Sequence, residues 1–186
     1  MPSFYTRGGD QGYTGLLGDG RISKSDLRME VLGSIDEVNA FLGMARSLAT
    51  NEDIKAIILK VQRDLYSLMG EIASTAETEG IFRVINADHV NWIEKSTDRL
   101  SSLTSVPREF IVPGDTPSSA ALDVARTVVR RAERRSVELF QREGFSNPEI
   151  LRYLNRLSSL VFVMELYENQ TVTGKEKPTL AKPGNK

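Results

Sequence analysis

The sequence predicts an all-α domain, a five-helix up-down bundle, on three observations. No proline stands between Pro2 and Pro107, apolar residues recur at helical spacing through that stretch, and the later pairs Thr116-Pro117 and Asn147-Pro148 mark helix starts. The first 33 residues stand apart, holding seven of the chain's 14 glycines (Gly8, Gly9, Gly12, Gly15, Gly18, Gly20, Gly33). So much backbone freedom weakens helix and strand alike, so this segment reads as an ordered loop, and no β-sheet is required. From Ser34 onward, Ile35, Val38, Leu42 and Ala45 predict a first amphipathic helix. Ile54, Ile57, Ile58, Val61, Leu65, Leu68 and Ile72 predict a second. A third begins near Asn86, a capping residue, and uses Val90, Ile93, Leu100 and Leu103. After a loop from Pro107 to Asp115, Thr116-Pro117 supplies a capping hydroxyl and a proline at the first helical position for a fourth helix, running to about Glu143. Asn147-Pro148 repeats the signal for a fifth, which reaches about Asn169 and is rich in large apolar residues. The tail beyond Thr171 has few apolar groups and is expected to be mobile. The chain divides as one domain into a glycine-rich segment (1–33), a bundle (34–170) and a tail (171–186).

Composition removes several function classes. With 24 basic and 25 acidic residues the formal charge is −1, so no global field attracts nucleic acid or anionic lipid, and any basic site is local. The aromatic content of 7% is low for a surface that stacks bases. The chain has no cysteine, which excludes disulfides, thiolate metal sites and cysteine nucleophiles. Its single histidine, His89, argues against a two-histidine metal site, a di-iron carboxylate bundle and a Ser-His-Asp triad. No apolar run approaches the roughly 20 residues that span a bilayer, and Met1-Pro2-Ser3-Phe4 lacks a secretion pattern. A cytoplasmic protein without membrane or nucleic-acid partners is the expectation.

Two segments could carry chemistry. On the fourth predicted helix, Arg126, Arg130, Glu133 and Arg134 fall within a sector of roughly 100°, opposite Val124, Ala125, Val128, Ala132 and Leu139. Arg126 to Arg134 spans about 12 Å, comparable with a triphosphate. A charge run of this kind is by itself most simply a solvated face, although guanidinium groups do form forked hydrogen bonds with phosphate. The N-terminal loop Tyr5-Thr6-Arg7-Gly8-Gly9-Asp10-Gln11-Gly12-Tyr13-Thr14-Gly15 offers close backbone approach, two threonine hydroxyls and an arginine, a set able to wrap an anion. The same composition suits a flexible leader. It is not a Walker A loop, because Arg21-Ile22 stands where Lys-Ser/Thr is required, nor a dinucleotide fingerprint, because no strand precedes it.

The loop resembles the Thr-Arg-x-Gly-Asp-x-Gly-x-Thr signature of the PduO-type ATP:cob(I)alamin adenosyltransferases, followed by Arg21-Ile22-Ser23-Lys24. The likeness continues through Gly33-Ser34-Ile35-Asp36-Glu37-Val38-Asn39-Ala40-Phe41-Leu42-Gly43, Phe110-Ile111-Val112-Pro113-Gly114, Ala125-Arg126-Thr127-Val128-Val129-Arg130-Arg131-Ala132-Glu133-Arg134 and Tyr153-Leu154-Asn155-Arg156-Leu157-Ser158. The chain differs from that family's pattern at Asp115, often glycine there, at Asp123, often histidine, and at Ser159, often aspartate.

The resemblance implies a ferritin-like bundle assembled as a homotrimer, with active sites between subunits. It implies ATP contacts from Thr6, Arg7, Gly8, Gly9, Asp10, Thr14, Gly15, Lys24, Arg130, Arg131, Glu133, Arg134 and Asn155. For the corrin it implies Phe110 and an intersubunit ion pair between Asp36 and Arg126. The implied reaction moves the 5′-deoxyadenosyl group of ATP onto Co(I) of reduced cobalamin, giving adenosylcobalamin and triphosphate. Arg130, Arg134, Lys24 and Phe110 would act on the reacting groups, and Mg²⁺ would sit on the phosphates with Glu133 nearby. A reductase upstream and an adenosylcobalamin-dependent mutase downstream are the protein partners such a reaction would have. Plainer roles exist for several of these residues. Phe110 could be core, Asp36 a first-turn acid favoured by the helix dipole, and Asn155 a buried amide joining helices. His89, near a helix start, is assigned no cobalt role. A non-catalytic nucleotide- or corrinoid-carrying module and a nucleic-acid-binding bundle are the competing readings.

Overall fold

In the computed structural model, which describes residues 5, 7–175 and 177–182, the helices follow the predicted order. A short hairpin, β1 (Tyr13–Gly15) and β2 (Arg21–Ser23), leads into α1 (Leu27–Leu48) and α2 (Glu52–Ala73). The single turn α3 (Glu79–Phe82), then α4 (Ala87–Leu103), α5 (Pro117–Glu143) and α6 (Pro148–Thr173) complete the chain. Five long helices thus build the bundle.

The helix starts are written in side chains. Asn86 caps α4 through Asp88 and His89, Thr116 caps α5 with Pro117 behind it, and Asn147 caps α6 with Pro148. His89 has a local task, since its ring completes the α4 capping box with Asn86. Gly144 and Gly174 close α5 and α6 in the left-handed conformation.

Cross-helix contacts fix the directions. Arg131 pairs with Glu37, Arg135 with Glu30 at 3.7 Å, and Arg28 with Glu143 at 2.6 Å. Positions rising along α5 therefore meet positions falling along α1, and the two helices are antiparallel. Arg99 on Asp53 (2.6 Å) sets α4 against α2 in the same sense. Up-down alternation runs through all five. Val31, Ile35, Val38 and Leu42 of α1, Ile58, Val61, Leu65 and Leu68 of α2 and Leu154, Leu157, Leu160 and Val161 of α6 are fully buried in one core. Each such side chain contributes roughly 1.5–3 kcal/mol.

Two expectations require correction. The N-terminal segment contains an antiparallel β-hairpin pairing Tyr13 with Ser23 and Gly15 with Arg21, where no sheet was expected. Its three-residue strands are too short to leave a period-2 pattern among the glycines. Helix α1 begins at Leu27, ahead of Ser34, because Asp26 caps it by accepting from Arg28 N at 2.8 Å. Gly33 is absorbed into the helix. In the C-terminal segment, for which mobility was expected, residues 179–181 make two hydrogen bonds: Val112 N donates to Thr179 O, and Ala181 N to Phe110 O, each at 2.8 Å.

Candidate active site

The cationic face of α5 separates into residues with different tasks. Arg131 turns toward α1 and pairs with Glu37. Arg126 lies against Asp123 at 2.6 Å and over the Phe162 ring, 6.0 Å from its centroid. Arg130 and Arg134 are exposed and form no ion pair among the described residues. Glu133, between them, accepts from Asn155 Nδ2 of α6 at 2.7 Å. Asn155 in turn accepts from Arg156, which reaches Glu94 of α4 at 3.1 Å. Glu133 is thereby held in place while the two neighbouring guanidinium groups remain available.

Arg130 stands where two concavities meet. A cleft of about 480 Å³ is lined by Phe110, Ile111, Phe162 and Val163, with Asp123, Arg126 and Arg130 along one side. A smaller groove of about 230 Å³ runs on between Arg130, Glu133, Arg134 and Val137. The first is mostly apolar and suits a broad flat molecule; the second is cationic and suits an anion. Phe110 stands 89% exposed at the cleft, so it is not core. Asp123 and Ser159, two of the positions that differ from the resembled family, are both in the lining.

Sequence reasoning did not find Phe162, although Ser158, Ser159, Phe162 and Val163 recur at helical spacing on α6. Small residues beside a large aromatic are a signal of space on that face. It also missed Glu165, one turn further on. This carboxyl is 2% exposed, its Oε2 has no hydrogen-bond partner among the described residues, and burial pushes its pKa up to about 8, with Asp123 and Asp115 adding repulsion that Arg126 partly offsets. The other buried acids are structural. Glu168 accepts from Thr50 N (2.6 Å) and Asn51 N (3.4 Å) at the start of α2, Glu71 from Asn147 Nδ2 (2.6 Å), and Asp64 from Tyr153 (3.1 Å) and Lys60 (2.7 Å).

The glycine-rich residues lie at the other end of the bundle. Leu17 N donates to Ala73 O at 2.8 Å, and the Thr78 hydroxyl to Leu17 O, which ties the hairpin to the end of α2. Gly18 permits this approach: it has φ +155, and a Cβ there would stand 2.2 Å from Thr75 Oγ1. Arg7, Gly8, Gly9 and Asp10 form a turn closed by Asp10 N on Arg7 O (3.3 Å), with Arg7 at positive φ. Lys24 folds back on that turn. Its N–H meets Gly12 O at 2.8 Å, and its Nζ lies where a Gly9 Cβ would be only 2.7 Å away. Thr14 and Gly15 are strand residues of β1, Asp36 is exposed on α1, and Thr6 lies outside the described residues.

The structure thus brings Phe110, Asp123, Arg126, Arg130, Glu133, Arg134 and Asn155 together and collects Arg7, Gly8, Gly9, Asp10 and Lys24 elsewhere. Glu143, near the hairpin end, is about 14 Å along α5 from Arg134, about 20 Å from Arg130 and about 25 Å from Arg126.

Comparison with known proteins identifies the family. The cobalamin adenosyltransferase family model matches residues 4–168. The corrinoid adenosyltransferase of Bacillus subtilis is 38% identical over 162 residues, covering 85% of this chain and 82% of that protein. The corrinoid adenosyltransferase PduO of Salmonella typhimurium is 34% identical over 168 residues, 90% of this chain but 50% of that longer protein. Among solved structures, a variant PduO-type ATP:corrinoid adenosyltransferase from Lactobacillus reuteri, complexed with cobalamin and ATP, superposes with a TM-score of 0.87 at 30% identity, covering 99% of this chain and 98% of that one. With its helical order, its cleft and its arginine face all in place, this chain belongs to the PduO-type cobalamin adenosyltransferase family.

Proposed function

We propose that the chain transfers the 5′-deoxyadenosyl group of ATP to the cobalt of a reduced corrinoid. The supporting observation is the position of Arg130, which lines both an apolar cleft and a cationic groove. The electron pair of Co(I) attacks the ATP 5′ carbon, a cobalt–carbon bond forms, the carbon–oxygen bond breaks, and triphosphate leaves with its electrons. No proton moves in that step, so the chemistry needs no general base. It needs two reactants in line and cations where the leaving charge grows. Arg130 and Arg134 supply those cations from α5, and Glu133, steadied by Asn155, orients the guanidinium groups.

Lys24 and the turn at Arg7, Gly8, Gly9 and Asp10 complete the phosphate site from a second copy of the chain, with Thr6, Thr14 and Gly15 on the same strap. The separation of strap and arginine face within one chain supports this reading, as does exposed Met44 and Val124 on α1 and α5, apolar surface that an assembled homotrimer would bury. In that trimer Asp36 of one copy approaches Arg126 of the next, which then divides its bonds between Asp36 and its own Asp123. Arg131, paired with Glu37 in the single chain, would border the phosphates from the helix side.

No cluster of three or more acidic or histidine side chains able to hold a metal ion occurs among the described residues. On this reading Mg²⁺ would come with the ATP phosphates, the usual manner of that ion, and Glu133 would be the carboxylate to meet it. Bound there, it would neutralise charge on the triphosphate. Phe110 walls one side of the corrin cleft, excludes water and keeps an axial base from the lower cobalt face, which eases reduction of Co(II). No helix among the described residues is long and apolar enough to cross a membrane, and we assign the protein to the cytoplasm. A reductase supplying Co(I) and a mutase receiving the product are its expected partners.

Mixing the protein with ATP, Mg²⁺ and chemically reduced cobalamin should yield the absorbance of the alkylated corrinoid together with triphosphate. A carrier module would bind both small molecules and release neither product.

A further inference from the structure

We propose that Asp115 and Thr179 are positioning residues for the corrin-side loop: they fasten the C-terminal segment onto residues 110–112 through an isolated antiparallel bridge and so fix Phe110 at the cleft. What the cleft binds rests on the function proposed above. The positioning itself rests on contacts that the loop makes with the tail.

Phe110 is 89% exposed, so side-chain packing does not hold it. Its backbone is held instead. Phe110 O accepts from Ala181 N and Val112 N donates to Thr179 O, both at 2.8 Å, around an antiparallel bridge between Ile111 and Leu180. So short a ladder is marginal in water without further support. Asp115 provides it. One carboxylate accepts Thr179 N at 2.9 Å, Thr179 Oγ1 at 2.6 Å and Asn169 Nδ2 of α6 at 3.2 Å. Loop, tail and helix are joined at a single charged acceptor, a stronger arrangement than neutral pairs would make. The Thr179 hydroxyl and amide hold the Asp115 carboxyl below its usual pKa, so it stays ionised at neutral pH.

Asp115 does not line the cleft. It therefore acts on the reaction only through the loop. Glycine, frequent at this position in the resembled family, has no side chain with which to make these bonds. Removing the carboxylate should free the tail, let the loop move and degrade placement of the corrin, leaving the phosphate groove on α5 untouched.

The test compares Asp115→Ala, Thr179→Val and Thr179→Ser with the unaltered full chain. Hydrogen exchange at the Val112 and Ala181 amides reads the latch without any turnover. Both amides should be protected in the unaltered chain and in Thr179→Ser, and should exchange freely in the other two. Steady-state kinetics reads the consequence: KM for the corrinoid rises about tenfold in Asp115→Ala and Thr179→Val, KM for ATP changes less than about twofold, and Thr179→Ser restores the corrinoid value. Unchanged amide protection in Asp115→Ala overturns the latch. Lost protection with an unchanged corrinoid KM, or with both KM values raised alike, overturns the positioning role. Should the unaltered chain fail to adenosylate cobalamin, the functional reading falls, and amide exchange together with equilibrium binding of Co(II) cobalamin still decides the latch.

Discussion

At one end of the bundle, where α2 and α5 begin, an apolar cleft meets Arg126 and Arg130 and a loop is bound to the tail. At the other, where α2 and α5 finish, a hairpin folds Lys24 against a glycine turn and is tied to Ala73 and Thr78. The first end has shape, apolar surface and, in Arg130 and Arg134, two guanidinium groups without an ion pair among the described residues. The second has backbone amides, an ammonium and a smaller, more polar pocket of about 240 Å³ beside Arg28, Ser74 and Glu143. On the function proposed above, each end would carry half of what an ATP-dependent alkyl transfer requires, with about 20 Å of α5 between Arg130 and Glu143. The difference teaches where a second copy of the chain would have to contribute if the complete site belongs to an assembly.

Substitutions can break that comparison in descending order of effect. Arg130→Ala removes the group shared by cleft and groove and should lower kcat by about 10²–10³-fold, with helical circular dichroism unchanged. Near-normal adenosylation would remove Arg130 from the mechanism. Phe110→Ala acts on the corrin alone. It should cost about tenfold to a hundredfold in turnover through misplacement and abolish the spectral signature of four-coordinate Co(II), while ATP affinity is kept. An unchanged corrinoid spectrum would contradict its role.

Glu165→Gln should leave ATP binding intact and change stability instead. Because the folded chain holds the Glu165 proton up to about pH 8, well above the unfolded value near 4.5, the native protein binds more protons than the unfolded chain between those limits. Its stability therefore falls as pH rises from about 5 to 8, and the glutamine variant lacks that decline. Thermal melts of both proteins across this range should diverge as pH rises; parallel curves would show that Glu165 is ionised in the fold.

The bundle was largely legible in the sequence because its information is local. Asn86, Thr116-Pro117 and Asn147-Pro148 cap helices by contacts within three residues, and apolar spacing alone identified α1 and α2. Local patterns were insufficient where the decisive partner is distant. Leu17 finds Ala73, and Asp115 finds Thr179, 64 positions away, so neither the hairpin's anchorage nor the contacts of Thr179 could be read from their own segments. The site was legible in the same uneven manner. Arg130, Glu133 and Arg134 share a face by helical periodicity, whereas Phe162 joins Phe110 only through packing of α6 against the loop, and the diversion of Arg131 to Glu37 needs α1 beside α5.

The claim that two copies share each site is tested most directly by subunit complementation. Arg130→Ala chains lack the helix half and Lys24→Ala chains lack the strap half, so each alone should be nearly inactive. Unfolded, mixed in equal amounts and reassembled, random trimers would contain intact pairings at about one interface in four. The account predicts recovery of about a quarter of the unaltered activity. No recovery from mixed assemblies of verified composition would mean that each chain builds its site alone, contradicting the account.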